Sequence, residues 1–143
     1  MLYGYIYNLR KTEYHFNTNH KMRFIFYKMR LHRMSNLYAI HIGINVCDEG
    51  LSIAHVGAVI INGKSHVGKK CRIHDGVNIG ANGGEPPVIG NEVYIGPGAK
   101  IFGNIRVADG CRIGANAVVC KNCEEENSTL VGVPVKLIGL HVR

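Results

Sequence analysis

A six-residue beat runs through the second half of the chain and leaves few folds open to it. Every sixth position from Ile61 reads Ile61, Val67, Ile73 and Ile79, and after one longer gap Ile89, Ile95, Ile101, Val107, Ile113 and Val119. All of them are Ile or Val, although those two types supply only 30 of the 143 residues. Four places after each beat the side chain is again small or apolar: Ser65, Cys71, Val77, Val93, Ala99, Ile105, Cys111, Ala117 and Cys123. An α-helix turns by about 240° in six residues, so such a stripe would spiral around it. Gly follows the beat at Gly68, Gly80, Gly90, Gly96 and Gly114, and each would cost a helix roughly 0.5–1 kcal/mol relative to Ala. Short β-branched strands joined by tight turns satisfy both facts. The hexapeptide period predicts an all-β fold, a parallel β-helix whose coils bury their apolar faces on one another.

With three hexads per coil, residues 18 apart stack at the strand spacing of about 4.8 Å. That spacing sets Ile61 under Ile79 and Ile89 under Val107. Ten residues separate Ile79 from Ile89, and the surplus predicts an exposed loop over Ala81–Pro87, rich in Gly and Pro. Residues 1–40 have the opposite composition and predict one or two helices, over Leu2–Tyr14 and Lys21–Met34, ahead of a rod at 41–132 and a tail at 133–143. In the second helix Met22, Ile25, Phe26 and Met29 form a stripe expected to cap the first coil. Ile40, Ile42, Ile44 and Val46 alternate with polar or small residues as a strand would. Extending the frame back from Ile61 puts His55 on a core beat, where burying an unpaired imidazole costs of order 1–3 kcal/mol. A backbone-bonded structural role and a catalytic one both remain open there. After Val119 the frame dissolves into the polar turn Glu124–Thr129, and Pro134 ends regular pairing.

The formal charge of +7 is uneven. Residues 1–40 hold seven Lys/Arg and only Glu13 as an acid, while the remainder is nearly neutral. No nucleic-acid-binding motif accompanies that charge, so nucleic acid is not an expected partner. The basic segment reads first as a solvated helix face and second as a surface for anionic membranes. Three of the five cysteines fall in the small-residue slot as compact hydrophobes. That placement argues against a disulfide framework and for a reducing, cytoplasmic setting. Cys120 and Cys123 lack a second ligand pair, so no metal is expected. No apolar run reaches the roughly 18 residues of a membrane span, and the first residues lack the pattern of a signal peptide.

Several segments carry a family likeness. The beat itself, Gly50-Leu51-Ser52-Ile53-Ala54-His55, Cys71 to Gly80, Ile95-Gly96-Pro97-Gly98-Ala99-Lys100-Ile101, and Gly132-Val133-Pro134 resemble serine O-acetyltransferases of the hexapeptide acyltransferase superfamily, especially the short forms. The resemblance covers about residues 40–140. It implies a left-handed parallel β-helix, a homotrimer, acetyl-CoA as donor, a small-molecule acceptor (L-serine first, a sugar or other hydroxyl compound second), and a place in cysteine synthesis. His55 matches the family's catalytic histidine, a general base on the acceptor hydroxyl, a role suited to a group titrating near pH 6.5. The family's coenzyme-binding turns match Gly96-Pro97-Gly98 and Gly114-Ala115, with Arg112 and Lys136 as candidates for its phosphates. The chain departs from the pattern where Ala54 stands for the family's Asp before the histidine, and Glu85-Pro86 for its Arg-His pair. Glu13, Asp48, His74 and Glu85 are the candidate acceptor-side groups, with Glu13 or Asp48 replacing the missing acid.

Two other classes compete. A zinc hydratase of the γ-carbonic anhydrase type would need three converging histidines, for which His55, His66 and His74 are available. A non-catalytic scaffold would leave His55 dispensable.

Overall fold

The computed structural model describes residues 2–140. Two helices, α1 (Leu2–Asn17) and α2 (Lys21–Tyr38), form a hairpin at one end. They begin where the composition places them and run a few residues further, until Ala39 caps α2 in the left-handed conformation.

The beat then builds a three-sided parallel solenoid. Its first side is β1 (Ile40–His41), β3 (Val59–Ile61), β6 (Asn78–Gly80), β9 (Lys100–Phe102) and β12 (Val118–Val119). The second is β4 (His66–Val67), β7 (Val88–Ile89) and β10 (Arg106–Val107), extended at its ends by single bridges at Cys47 and Cys123. The third is β2 (Ser52–Ile53), β5 (Arg72–Ile73), β8 (Tyr94–Ile95), β11 (Arg112–Ile113), β13 (Ser128–Val131) and β14 (Lys136–Leu140). Ile61 pairs with Ile79 and Ile89 with Val107, the stacking that the 18-residue spacing requires. The beat residues from Val67 to Val119 are wholly buried, as are Cys71, Val93, Ala99, Cys111 and Ala117 in the small slot. Each buried Ile or Val contributes about 1.5–3 kcal/mol. Because every coil shields its neighbours, the core is a continuous column.

The structure corrects the frame at four places. The run Ile40–Val46 is a strand only over Ile40–His41; Asn45, at φ 59°, turns the corner, and Ile42, Cys47 and Ile53 form a first, irregular coil. Ile53 pairs with Ile73 and Ile61 with Ile79, so eight residues, not six, separate these successive beats. The two extra residues bulge within Ala54–Ala58 and push His55 out of the core onto the exposed surface. After Val119 the stack continues, because Cys123 bridges to Val107 and Leu130 pairs with Ile113. Finally, Pro134 does not end regular pairing: β14 follows it and returns antiparallel to β13, while 141–143 lie outside the described residues.

The helix stripe is a further correction, though not a matter of frame. Met22, Ile25, Phe26 and Met29 face solvent, with Met22 81% exposed. The capping falls to α1, whose Tyr5 and Leu9 are wholly buried. The Tyr5 hydroxyl donates to the Ile40 carbonyl at 3.2 Å.

Candidate active site

The three corners of each coil stack into three edges, and one edge gathers most of the candidate residues. It runs from the third side to the first. In ascending order it carries His55, then His74-Asp75-Gly76, then Gly96-Pro97-Gly98, then Gly114-Ala115-Asn116. Backbone bonds tie the levels together: Ala54 N–H to the Ile73 carbonyl at 2.9 Å, His74 N–H to Ile95 at 3.1 Å, Gly98 N–H to Asp75 at 2.8 Å, and Asn116 N–H to Pro97 at 2.8 Å. Gly98, at φ 73°, adopts a conformation that glycine takes freely, and a Cβ there would lie 2.0 Å from the Asn116 Oδ1. Gly96 is packed against backbone, where a Cβ would meet the Ile113 carbonyl oxygen at 2.8 Å. Glycine thus makes this edge smooth enough for an extended ligand to lie close to main chain.

His55 sits at the foot of the edge. Its ring centroid is 5.8 Å from that of His74, tilted by 56°, and the His74 ring lies 5.1 Å from Tyr94. His74 is half-buried, and its Nε2 is shielded from solvent without a hydrogen-bond partner among the described residues. Burial first, then the positive field of Arg72 and the neighbouring His55, lower its pKa, with Asp75 opposing. The ring is therefore held neutral at physiological pH. Sequence reading missed Tyr94 and the His55–His74 contact. The available signal was the in-register ladder Arg72, Tyr94, Arg112 on the outer face of the third side.

Arg112 is exposed on that outer face in β11, two residues before the Gly114 corner, and Lys136 is exposed on β14 opposite Val131. The other candidates lie elsewhere. Glu13 is buried on α1, where it accepts from Arg10 Nη1 at 2.8 Å and from the Asn45 N–H at 2.9 Å. The Arg10 guanidinium also donates to the carbonyls of Cys47 and Asp48. This pair anchors the helices to the first coil, on the edge between the first and second sides, rather than serving His55. Asp48 pairs with His66 across 3.4 Å on the second side. Glu85 is exposed in the Ala81–Pro87 loop, between β6 and β7. Within one chain, His66 therefore does not converge with His55 and His74, and no cluster of three metal-ligating side chains occurs among the described residues.

Comparison with known proteins agrees with this geometry. A family model for the bacterial transferase hexapeptide (six repeats) matches residues 86–121. The serine acetyltransferase of Helicobacter pylori is 37% identical over 126 residues, covering 83% of this chain and 72% of its own length. Among solved structures, the Brucella abortus serine acetyltransferase in complex with coenzyme A superposes with a TM-score of 0.80 at 30% identity. The alignment covers 94% of this chain and 54% of that one. The Neisseria gonorrhoeae serine acetyltransferase in complex with serine gives 0.75 at 27% identity, covering 94% and 55%. The chain thus spans about half the length of these solved relatives. A hexapeptide solenoid with a glycine-lined edge above an exposed histidine, and a relative matched over most of both lengths, place this chain in the serine acetyltransferase family.

Proposed function

We propose that the protein transfers the acetyl group of acetyl-CoA to the hydroxyl of L-serine, with His55 as general base. The observation that carries the proposal is the placement of an exposed imidazole directly below the glycine corners of one edge, in a chain whose solved relatives bind coenzyme A and serine. The pantetheine arm lies along Gly96-Pro97-Gly98 and Gly114-Ala115, and Arg112 and Lys136 meet its phosphates. An imidazole nitrogen of His55 takes the serine hydroxyl proton as the oxygen attacks the thioester carbon. The tetrahedral oxyanion collapses, the carbon–sulfur bond breaks, and the imidazolium returns the proton to the departing thiolate. Neutral His74 beside it adds no competing positive charge when His55 becomes cationic.

An edge exposed on one rod needs a second wall. We infer a homotrimer in which a neighbouring rod brings its Ala81–Pro87 loop, with Glu85, to the His55 edge. The product, O-acetylserine, serves cysteine synthesis, and the free thiols at Cys47, Cys71, Cys111, Cys120 and Cys123 suit a reducing cytoplasm. Thiol release from acetyl-CoA, measured with serine and with a panel of sugars and other alcohols, tests the reading. Serine should give the highest kcat/KM, and release with no acceptor in the panel would overturn it. Light scattering at micromolar protein should return three times the chain mass.

A further inference from the structure

The helix α2 has two apolar faces, and the fold uses only one. Leu31 and Ser35 are buried toward α1 and the rod, with Met34 and Tyr38 half-buried beside them. On the opposite side Met22, Ile25, Phe26, Met29 and Leu37 are exposed by 81, 52, 56, 58 and 74%. At about 100° per residue they occupy an arc of about 120°. Cations border that arc on both flanks, Lys21 and Lys28 on one and Arg23 and Arg30 on the other, and Arg33 lies within it. No Asp or Glu occurs between Glu13 and Asp48. An exposed apolar stripe rimmed by charge marks a contact surface, and the uniform sign selects its partner. A second copy meeting it face to face would oppose five cations with five. We propose that the outer face of α2 binds an anionic lipid bilayer, with the helix lying in the interfacial plane.

The chemistry fits both layers of such a surface. Apolar side chains reach the acyl boundary while Lys and Arg stems run along the helix and place their charges at headgroup phosphates. No described helix is long and apolar enough to cross a membrane, so α2 lies on the bilayer rather than through it. The rival is a head-to-tail contact in which Glu124–Glu126 of another copy meet the cations, an arrangement that closes into a ring or propagates as a filament.

The test is co-sedimentation of the full chain with phosphatidylcholine vesicles, with and without one part in three phosphatidylglycerol. Binding is expected only to the anionic vesicles and should weaken as salt rises. Arg30→Gln with Arg33→Gln should lower the partition coefficient by about 25-fold, roughly fivefold per cation. Phe26→Ser with Met29→Ser should weaken it at unchanged salt dependence. These side chains are exposed, so both variants should keep the parent's circular dichroism. Failure to bind anionic vesicles, or equal binding to neutral ones, overturns the proposal. So does a fall in oligomer size for Phe26→Ser with Met29→Ser under conditions where the parent binds no vesicles, because the face would then be a subunit contact.

Discussion

Substituting alanine at Gly98 probes whether the candidate edge is stacked coil upon coil. Two costs add there. At φ 73° an alanine pays about 1–2 kcal/mol for a left-handed backbone. Its Cβ would also start 2.0 Å from the Asn116 Oδ1, and displacing that amide adds on the order of 1–2 kcal/mol. Gly83 supplies the control, since it has the same φ of 73° but no heavy atom within 4 Å of an added Cβ. With an unfolding entropy of about 2.1 cal/mol/K per residue, 1 kcal/mol shifts the Tm of a chain this size by about 3 °C. Thermal melts at fixed protein concentration should therefore show Gly83→Ala lowered by about 3–6 °C and Gly98→Ala by about 6–12 °C. Adding Asn116→Gly should recover part of the larger loss. Equal losses for the two alanine variants, or no recovery in the double variant, would refute the stacked edge.

Other consequences follow from the same packing. Ile95→Ala opens the buried column at mid-rod and should cost about 2–5 kcal/mol in denaturant unfolding, more than the same change at half-exposed Ile44. Glu13→Gln weakens the anchor to Arg10 and the Asn45 N–H; it should lower stability by about 1–3 kcal/mol and leave kcat/KM for acetyl transfer within about twofold. Burial pushes the thiols of Cys47 up to about 12 and of Cys71 and Cys111 up to about 11. In the native protein only Cys120, which is half-exposed, should react rapidly with a disulfide reagent. The same raised values mean that the folded state resists forming thiolates. Stability from this source is intact below about pH 9 and falls as the pH rises from there toward 11–12, which alkaline denaturation would measure.

The rod was legible because its physics is periodic. One Ile or Val per six residues can be buried only if coils stack, and the pairings of Ile61 with Ile79 and Ile89 with Val107 follow directly. Corners are less legible, because a turn accepts extra residues without disturbing the strands it joins. The ten-residue interval after Ile79 announced itself through Gly and Pro, whereas the two-residue surplus at Ala54–Ala58 had no such composition. Extrapolating the frame therefore buried His55, which the structure exposes. The pairing of Ile53 with Ile73 was the recoverable clue, since Ser52-Ile53 and Arg72-Ile73 share a polar-then-Ile pattern. The α2 stripe failed for a different reason. Helical periodicity reports that a face is apolar and not what covers it, and Tyr5 and Leu9 of α1 had already taken the end of the core. Which groups share an edge with His55 depends on coil register over some 60 residues, beyond the reach of local pattern.

The role given to His55 is tested most directly by measuring coenzyme binding and turnover separately in His55→Ala. The substitution should leave the Kd for acetyl-CoA within about twofold while lowering kcat with L-serine by 10²–10⁴-fold, the range that a general base supplies. A variant that turns over serine at the parent rate, or one whose activity falls only in step with lost coenzyme binding, would contradict the account.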